Sequence, residues 1–317
     1  MFNFLTLKFV KMKKVLVLTA KPFAPVAVEK IKKIVNEAGY EFSLLEKYAG
    51  QPELIEAVSD ADALIIRSDK VTREVLEAGV NLKIVVRAGA GYDNIDLDAA
   101  TEKGIVVMNT PGQNSNAVAE LAMSMMVYMA RNLFDGAPGT ELRGKKLGIH
   151  AYGNVGKHVG AIAKGFGMEI YAFDPFIPKE TIEKDGVKCV DSAEELYSTC
   201  QYVSLHLPAN EKTKKSINYQ LLSMMPACAT LVNTARKEVV CEETLLKIFS
   251  VRSDFKYISD FAPDCIGEII GKYEGRYFFS PKKMGAQTAE ANINAGIAAA
   301  NQIVSYFEKG DTTFKVN

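Results

Sequence analysis

Residues 146–174, KLGIHAYGNVGKHVGAIAKGFGMEIYAFD, contain the pattern that decides the fold of the second half of the chain. A short apolar run ends at His150, a glycine-containing turn covers 151–156, and an amphipathic stretch continues to Phe166. A second apolar run then ends at Asp174. A strand, a tight turn, a helix and a strand in this order are typical of a dinucleotide-binding unit.

Each conserved feature of such a unit has a physical reason. Gly153 would let the backbone approach a pyrophosphate, Gly156 would allow close packing of helix on strand, and the helix N-terminus would stabilise negative charge. Asp174 would bind the adenosine ribose hydroxyls and repel a 2'-phosphate, which favours NAD over NADP. The predicted contacts of the turn are Tyr152, Gly153, Asn154, Val155 and Gly156.

Ala151 stands where the first glycine of the motif normally lies. A methyl group can be tolerated there if the backbone of that residue does not need a positive φ angle. Two alternatives stay open at this point: the glycines could form a plain strand-to-helix turn, and Tyr152 could be only a packing residue.

The same alternation extends on both sides of this stretch. The runs VLVL, FSLL, ALII and KIVV recur from Lys14 onward, and a second series begins at Lys146. Alternating strands and helices predict α/β folds, here two doubly wound parallel-sheet domains. A helix is expected over 114–129, and a last helix over 288–309, with Gly310 as its C-terminal cap, returns the chain to the first domain.

These signals predict a Rossmann domain inserted in a discontinuous, flavodoxin-like substrate domain. The predicted bounds are 1–11 for an extension, 12–112 with 287–317 for the substrate-binding domain, and 113–286 for the NAD-binding domain. Met12 is an alternative start of the chain.

Composition excludes several classes of function. Among 317 residues, 38 Lys and Arg offset 38 Asp and Glu, so no positive field gathers nucleic acid or a membrane surface. Five cysteines without a CxxC pair argue against a disulfide framework or a zinc site, so no metal is expected. No stretch of 18 apolar residues occurs, and a cytoplasmic protein is predicted.

Five further segments carry a family resemblance: VRAGAGYDNID from Val86, VMNTPGQNSNAVAEL from Val107, YAFDP from Tyr171, SLHLP from Ser204 and NTARKEVV from Asn233. In this order they resemble the D-2-hydroxyacid dehydrogenase family, over nearly the whole chain from about Lys13. RSDKVT from Arg67 and SPKKMGAQTAEANINAG from Ser280 resemble the short members that act on D-3-phosphoglycerate.

The resemblance implies NAD-dependent oxidation of D-3-phosphoglycerate to 3-phosphohydroxypyruvate, the first step of serine biosynthesis. It also implies a homodimer paired through the helix from Asn114, and no feedback by serine, because no residues follow Asn317 to build the regulatory module of long members. Hydroxypyruvate or glyoxylate reduction is the alternative within the family. An NAD-sensing co-repressor or scaffold without turnover is the alternative of another class.

Oxidation of a 2-hydroxy acid needs a cation for the carboxylate and a base for the hydroxyl proton. Arg236 follows a predicted buried strand, and its guanidinium can hold a carboxylate in a bidentate fashion; a surface arginine is the alternative. The family places a histidine, oriented by a glutamate, at the base. Alignment on Gly285 and Ala286 puts Lys283 at the histidine and Cys265 at the glutamate, with Lys282 as the alternative base.

Lys283 can act as a base only when it is neutral, and we expect burial and the neighbouring Arg236 to lower its pKa. The resemblance assigns further cofactor contacts to a larger group of residues. Within this group, Asp260 would lie near the carboxamide of the cofactor, or alternatively cap or orient Arg236. His206 could alternatively be only a strand-end histidine with its hydrogen bonds satisfied. That group is His206, Leu207, Pro208, Thr213, Asn233, Thr234, Ala235, Asp260, Gly285 and Ala286.

For the anionic substrate, a phosphorylated 2-hydroxy acid, the resemblance points to a set in the first domain besides Arg236 and Lys283. Its members are Arg67, Ser68, Arg87, Gly89, Ala90 and Asn114. The glycines at 89 and 91 would permit close approach of a ligand to the backbone. Taken singly, Arg67 and Arg87 could be structural.

Overall fold

The computed structural model describes residues 12–317, and the extension predicted for 1–11 lies outside them. The chain forms two compact units, one of residues up to Asn114 together with Ala289–Asn317, the other Ser115–Thr288. The predicted boundaries after 112 and 286 lie slightly before the observed ones, which follow Asn114 and Thr288. The substrate-binding and NAD-binding roles assigned to the two units stay predictions. Among the described residues, no helix combines the length and the apolar character needed to cross a membrane.

The first unit is a five-stranded parallel sheet with the order β2-β1-β3-β4-β5, which is the flavodoxin-like order. Its elements are β1 (Lys14–Thr19), α1 (Pro25–Glu37), β2 (Glu41–Glu46), α2 (Gln51–Val58), β3 (Ala63–Ile66), α3 (Arg73–Ala78), β4 (Ile84–Arg87), α4 (Leu97–Glu102), β5 (Val106–Asn109) and the C-terminal helix Ala289–Lys309.

Every residue of β3 is buried because helices cover both faces of this sheet. The C-terminal helix packs beside α1 on one face through Ala295, Ala299 and Ile303. It ends at Gly310, whose φ of 67° and hydrogen bond to Tyr306 O are those of a left-handed cap, as predicted.

The second unit is a seven-stranded parallel sheet with the order β12-β11-β10-β9-β6-β7-β8. Its elements are α5 (Ser115–Ala130), β6 (Lys146–His150), α6 (Asn154–Gly165), β7 (Glu169–Phe173), α7 (Lys179–Lys184), β8 (Lys188–Cys189), α8 (Ala193–Thr199), β9 (Tyr202–Leu205), α9 (Tyr219–Met224), β10 (Thr230–Asn233), α10 (Glu242–Val251), β11 (Lys256–Ser259) and β12 (Tyr277–Phe279). The first strand of the unit, β6, lies between β7 and β9, which is the Rossmann arrangement with one additional strand.

The predicted fold class is therefore confirmed for both units. In the second unit the strands reverse their order between β6 and β9, and ligands of open α/β sheets bind beyond the carboxyl ends of the strands at such a point. The residues that follow β6, β9, β10 and β11 all lie at that edge of the sheet, because neighbouring strands are parallel.

Candidate active site

The turn after β6 has the form of a dinucleotide cradle, with one departure from expectation. Ala151 has a φ of 77°, so the condition under which its methyl group is tolerated without strain is not met. A Cβ at Gly153 would meet no atom within 4 Å, which leaves the approach to the helix N-terminus open. A Cβ at Gly156 would lie 2.5 Å from Ala151 O, so only glycine fits where α6 packs on this turn.

Asp174 follows β7 and is tied to the turn. Its Oδ2 accepts a hydrogen bond from Tyr152 N at 2.8 Å, and its Oδ1 accepts one from Phe176 N at 2.9 Å. A carboxylate has about four acceptor positions, so two remain for ligand hydroxyls. The Tyr152 ring is buried, its hydroxyl lies 3.3 Å from Asp185 Oδ2, and burial followed by that carboxylate raises its pKa. Its side chain therefore packs, and its amide positions Asp174.

Two buried polar atoms at the same edge lack a partner among the described residues: His206 Nε2 and Thr234 Oγ1. His206 N donates to His150 O at 3.0 Å, and burial followed by the charge of His150 lowers the pKa of His206 to about 3. Buried polar groups without a partner are costly, so their presence here indicates a site for polar ligand atoms. Together with the open turn at Gly153 and the half-buried Asp174, these atoms fit a dinucleotide.

The turn after β10 is shaped by the Asn233 side chain. Its Oδ1 accepts from Ala235 N at 3.0 Å, and its Nδ2 donates to Arg236 O at 3.0 Å. Asn233 is fully buried, whereas Arg236 is exposed. The asparagine thus fixes the backbone from which the Arg236 side chain extends.

Arg236 and Lys283 come together at one atom. Arg236 Nη1 donates to Ala235 O at 2.9 Å, and Lys283 Nζ donates to the same oxygen at 2.8 Å. The two cationic nitrogens therefore lie within two hydrogen-bond lengths of each other. Lys283 is exposed, so it lacks the burial that was expected to lower its pKa. The positively charged neighbour that was expected, Arg236, is present.

Cys265, at the position of the family glutamate, cannot replace a carboxylate. Its amide donates to Glu242 Oε2 at 2.9 Å, and burial, followed by the charge of Glu242, raises the pKa of its thiol to about 12. The thiol is therefore protonated at neutral pH and carries no charge that could orient Lys283.

The remaining predicted contacts differ in their environment. Leu207 is buried and Pro208 is exposed, and Thr213 Oγ1 donates to Pro208 O at 2.5 Å, which closes that loop. The carboxyl group of Asp260 accepts hydrogen bonds from the amides of Met284 and Gly285.

In the first unit, the side chain of Arg67, one of the predicted anion residues, is already hydrogen-bonded. Arg67 Nη1 donates to Lys21 O and Pro22 O, each at 2.9 Å, and its Nη2 donates to Asn292 Oδ1 at 2.5 Å. Its guanidinium lies 5.0 Å from the centroid of the Phe23 ring. These bonds support the structural interpretation of Arg67.

Gly89 makes room for the side chain of Arg87. A Cβ at Gly89 would lie 1.4 Å from Arg87 Nη1, and the Gly89 φ of 150° also favours glycine. Arg87 Nε donates to Arg67 O at 3.0 Å. Ser68 and Ala90 are exposed, and Asn114 is half-buried. Packing against Arg87 is therefore one reason for glycine at this position, and the approach of a ligand to its backbone stays a prediction.

Asp69, which was not among the predicted site residues, organises this region. Its Oδ1 accepts from Ala20 N at 2.6 Å and from Tyr48 OH at 2.7 Å, and its Oδ2 accepts from Arg67 N at 3.2 Å. The acid of RSDKVT directly after β3 was the available signal, since a buried carboxylate at a strand end needs donors.

A Rossmann sheet with a glycine turn, an acid after β7 and two cations beyond β10 defines an α/β protein of the dinucleotide-binding type. The chain belongs to the D-isomer specific 2-hydroxyacid dehydrogenase family, since the model of that family's catalytic domain matches residues 15–317.

Three relatives illustrate the similarity. D-3-phosphoglycerate dehydrogenase of Methanocaldococcus jannaschii is 38% identical over 274 residues, which cover 79% of this chain and 51% of that protein. Hydroxypyruvate reductase of Thermotoga maritima is 34% identical over 283 residues, which cover 83% of this chain and 90% of that protein. The crystal structure of NAD+-bound 3-phosphoglycerate dehydrogenase from Entamoeba histolytica is 47% identical, with a TM-score of 0.83 and coverage of 96% of this chain and 99% of that chain.

The chain spans about half the length of several curated relatives that it matches, 51% for the protein of M. jannaschii and 48% for that of Synechocystis.

Proposed function

We propose that this chain catalyses the NAD-dependent oxidation of D-3-phosphoglycerate to 3-phosphohydroxypyruvate, the first step of serine biosynthesis. The observation that carries the proposal is the convergence of Arg236 and Lys283 on the Ala235 carbonyl, directly beyond a Rossmann strand. The names of the M. jannaschii and E. histolytica relatives support this substrate, and the NAD+ in the latter structure supports the cofactor.

The cofactor would be held by residues of the second unit. The open turn at Gly153 and the start of α6 would receive the pyrophosphate, and Asp174 would accept hydrogen bonds from the ribose. His206 Nε2 and Thr234 Oγ1 would gain the partners that they lack among the described residues. Bound NAD supplies the nicotinamide carbon that accepts the hydride.

Arg236 and Lys283 have different tasks in this reaction. The exposed guanidinium of Arg236 would bind the substrate carboxylate, which a planar fork of donors fits well. Neutral Lys283 would take the proton of the substrate hydroxyl, and protonated Lys283 would return it in the reverse reaction. The adjacent Arg236 favours the neutral lysine because two cations at one carbonyl oxygen repel each other.

The residues assigned to the substrate anion in the first unit carry unequal support. Ser68 and Ala90 are exposed, so both residues are open to a ligand. Arg67 has less support, because its guanidinium already donates to two carbonyl oxygens and to Asn292. We propose Ser68 and Ala90 as the first positions at which to test phosphate recognition.

Replacing Lys283 by methionine tests the base. We expect Lys283→Met to lower kcat about 100-fold or more, because a positioned base contributes on the order of 10² to 10⁴. The NADH dissociation constant, measured by fluorescence titration, should change less than about twofold, because the hydrogen bonds assigned to the cofactor do not include this side chain.

Lys282→Met is the matched control, since Lys282 is an exposed neighbour on the same segment. It should retain near-normal turnover. Normal turnover of Lys283→Met, or loss of turnover in the control alone, contradicts the assignment of Lys283.

Hydroxypyruvate or glyoxylate reduction is the second candidate, favoured by the T. maritima relative, of which the chain covers 90%. NADH oxidation should be compared with 3-phosphohydroxypyruvate, hydroxypyruvate and glyoxylate as substrates. The highest kcat/KM with an unphosphorylated substrate would favour the second candidate. NADH binding without turnover of any of the three would favour a sensing role.

We further propose a homodimer located in the cytoplasm. The support is the family resemblance, in which the helix equivalent to α5 pairs. Sedimentation of the purified chain tests the dimer, and a monomer at micromolar concentration contradicts it.

A further inference from the structure

We propose that Asp260 is a positioning residue that holds the segment 280–285 so that Lys283 reaches the Ala235 carbonyl. The inference deepens the proposed function and rests on it, since Lys283 is there the base. It assigns to Asp260 a task other than the expected contact with the carboxamide of the cofactor.

The Asp260 carboxyl group is fully buried and accepts three hydrogen bonds from this segment. Ser280 Oγ donates to Oδ1 at 3.0 Å, Met284 N donates to Oδ1 at 2.8 Å, and Gly285 N donates to Oδ2 at 2.8 Å. These donors lie on both sides of Lys283 in the chain. Both oxygens of Asp260 act as acceptors toward this segment.

The same network reaches the arginine. Asp260 N donates to Asn233 O at 3.1 Å, and the Asn233 side chain fixes Ala235 and Arg236. Asn233 is the last residue of β10 and Asp260 directly follows the neighbouring strand β11, so the arginine and the lysine are held from adjacent strand ends. An exposed lysine has many rotamers, so anchoring its backbone is the available way to direct its Nζ to one oxygen.

Asp260→Asn changes this contact with almost no change in volume. All three partners donate, so whichever way the amide is turned, its NH₂ group faces one backbone N–H that has lost its acceptor. Gly285→Ala acts from the other side, since a Cβ at Gly285 would lie 2.9 Å from Asp260 Oδ2. Ser280→Ala is the control, because it keeps both amide bonds.

Hydrogen–deuterium exchange of the full-length chain tests the anchor without relying on turnover. We expect the amides of Met284 and Gly285 to exchange about 10-fold faster or more in Asp260→Asn and in Gly285→Ala, because a lost charge-assisted hydrogen bond corresponds to at least that factor. Ser280→Ala should exchange at nearly the wild-type rate. Unchanged exchange in both Asp260→Asn and Gly285→Ala overturns the proposal.

Steady-state kinetics tests the consequence for the base. In Asp260→Asn we expect kcat to fall about 10-fold or more while the NADH dissociation constant stays within about threefold. The limb of the kcat/KM profile on which Lys283 loses its proton should move to higher pH, because a displaced lysine escapes the repulsion of Arg236.

A weakened NADH affinity with an unmoved limb would instead assign Asp260 to the cofactor and overturn the proposal. Normal kcat despite faster exchange would overturn it as well. Failure of the proposed function appears separately, as normal turnover of Lys283→Met, and leaves the exchange result interpretable.

Discussion

At the scale of single residues, the turn after β6 stores conformational strain. Ala151 has a φ of 77°, in the left-handed region that costs a residue with a Cβ about 1 kcal/mol or more. Its carbonyl oxygen then faces α6 so closely that position 156 admits only glycine. Glycine is therefore kept at position 156, where the packing requires it. Position 151, where the family motif has its first glycine, carries a strained alanine.

Replacing Ala151 by glycine should remove this strain. We expect Ala151→Gly to raise the free energy of unfolding by about 1 kcal/mol, as judged from the midpoint of urea denaturation. Ala161→Gly is the control, because Ala161 is an exposed residue inside α6, where glycine costs about 1 kcal/mol. Equal destabilisation by both substitutions would contradict the left-handed backbone at Ala151.

At the scale of secondary-structure elements, the sequence predicts the strands and helices better than the contacts at their ends. Alternating apolar runs predicted β1, β3 and β6 because a strand in a parallel sheet is buried on both faces. The bonds of Asp69 to Ala20 and of Asp260 to Gly285 join residues far apart in the chain, so the local sequence pattern does not identify these donors. Alignment with the family predicted Lys283 as the base but left Lys282 as the alternative. The choice between these two neighbours depends on the path of the backbone, which a sequence pattern does not contain.

Asp69 joins the ends of β1 and β3 and the segment after β2, so its loss should weaken the first unit. Asp69→Asn leaves one of the donors Ala20 N, Tyr48 OH and Arg67 N without an acceptor. We expect the free energy of unfolding to fall by about 2 kcal/mol in urea denaturation followed by circular dichroism. Asp93→Asn, an exposed aspartate, should have less than about 0.5 kcal/mol of effect. Equal stability of the two variants would show that the Asp69 contacts contribute little.

At the scale of the whole molecule, each unit gathers its polar groups at the carboxyl edge of a parallel sheet. In the second unit, His150 and His206 end the neighbouring strands β6 and β9. The charge balance of the chain predicted that an anion must be bound locally, and this edge supplies the cations. What composition could not predict is that burial lowers the pKa of two of the three histidines, His150 and His206, at this edge.

Enclosed histidines make the stability of the fold depend on pH. Burial lowers the pKa of His150 to about 4, against an ordinary value of 6.5, so below the ordinary value the unfolded chain binds a proton that the folded chain does not. Stability is therefore greatest above that value and falls as the pH decreases toward the folded pKa. Protonation linked to His150 alone should lower the free energy of unfolding by about 2 kcal/mol between about pH 7 and about pH 5.

Replacing His150 tests this dependence. His150→Gln, whose amide can still accept a hydrogen bond from Tyr197 OH, should lose correspondingly less stability over this pH interval in urea denaturation. His158→Gln, at an exposed position of α6, should behave as the wild type, and a wild-type curve that is flat between the two pH values would contradict the enclosure of His150.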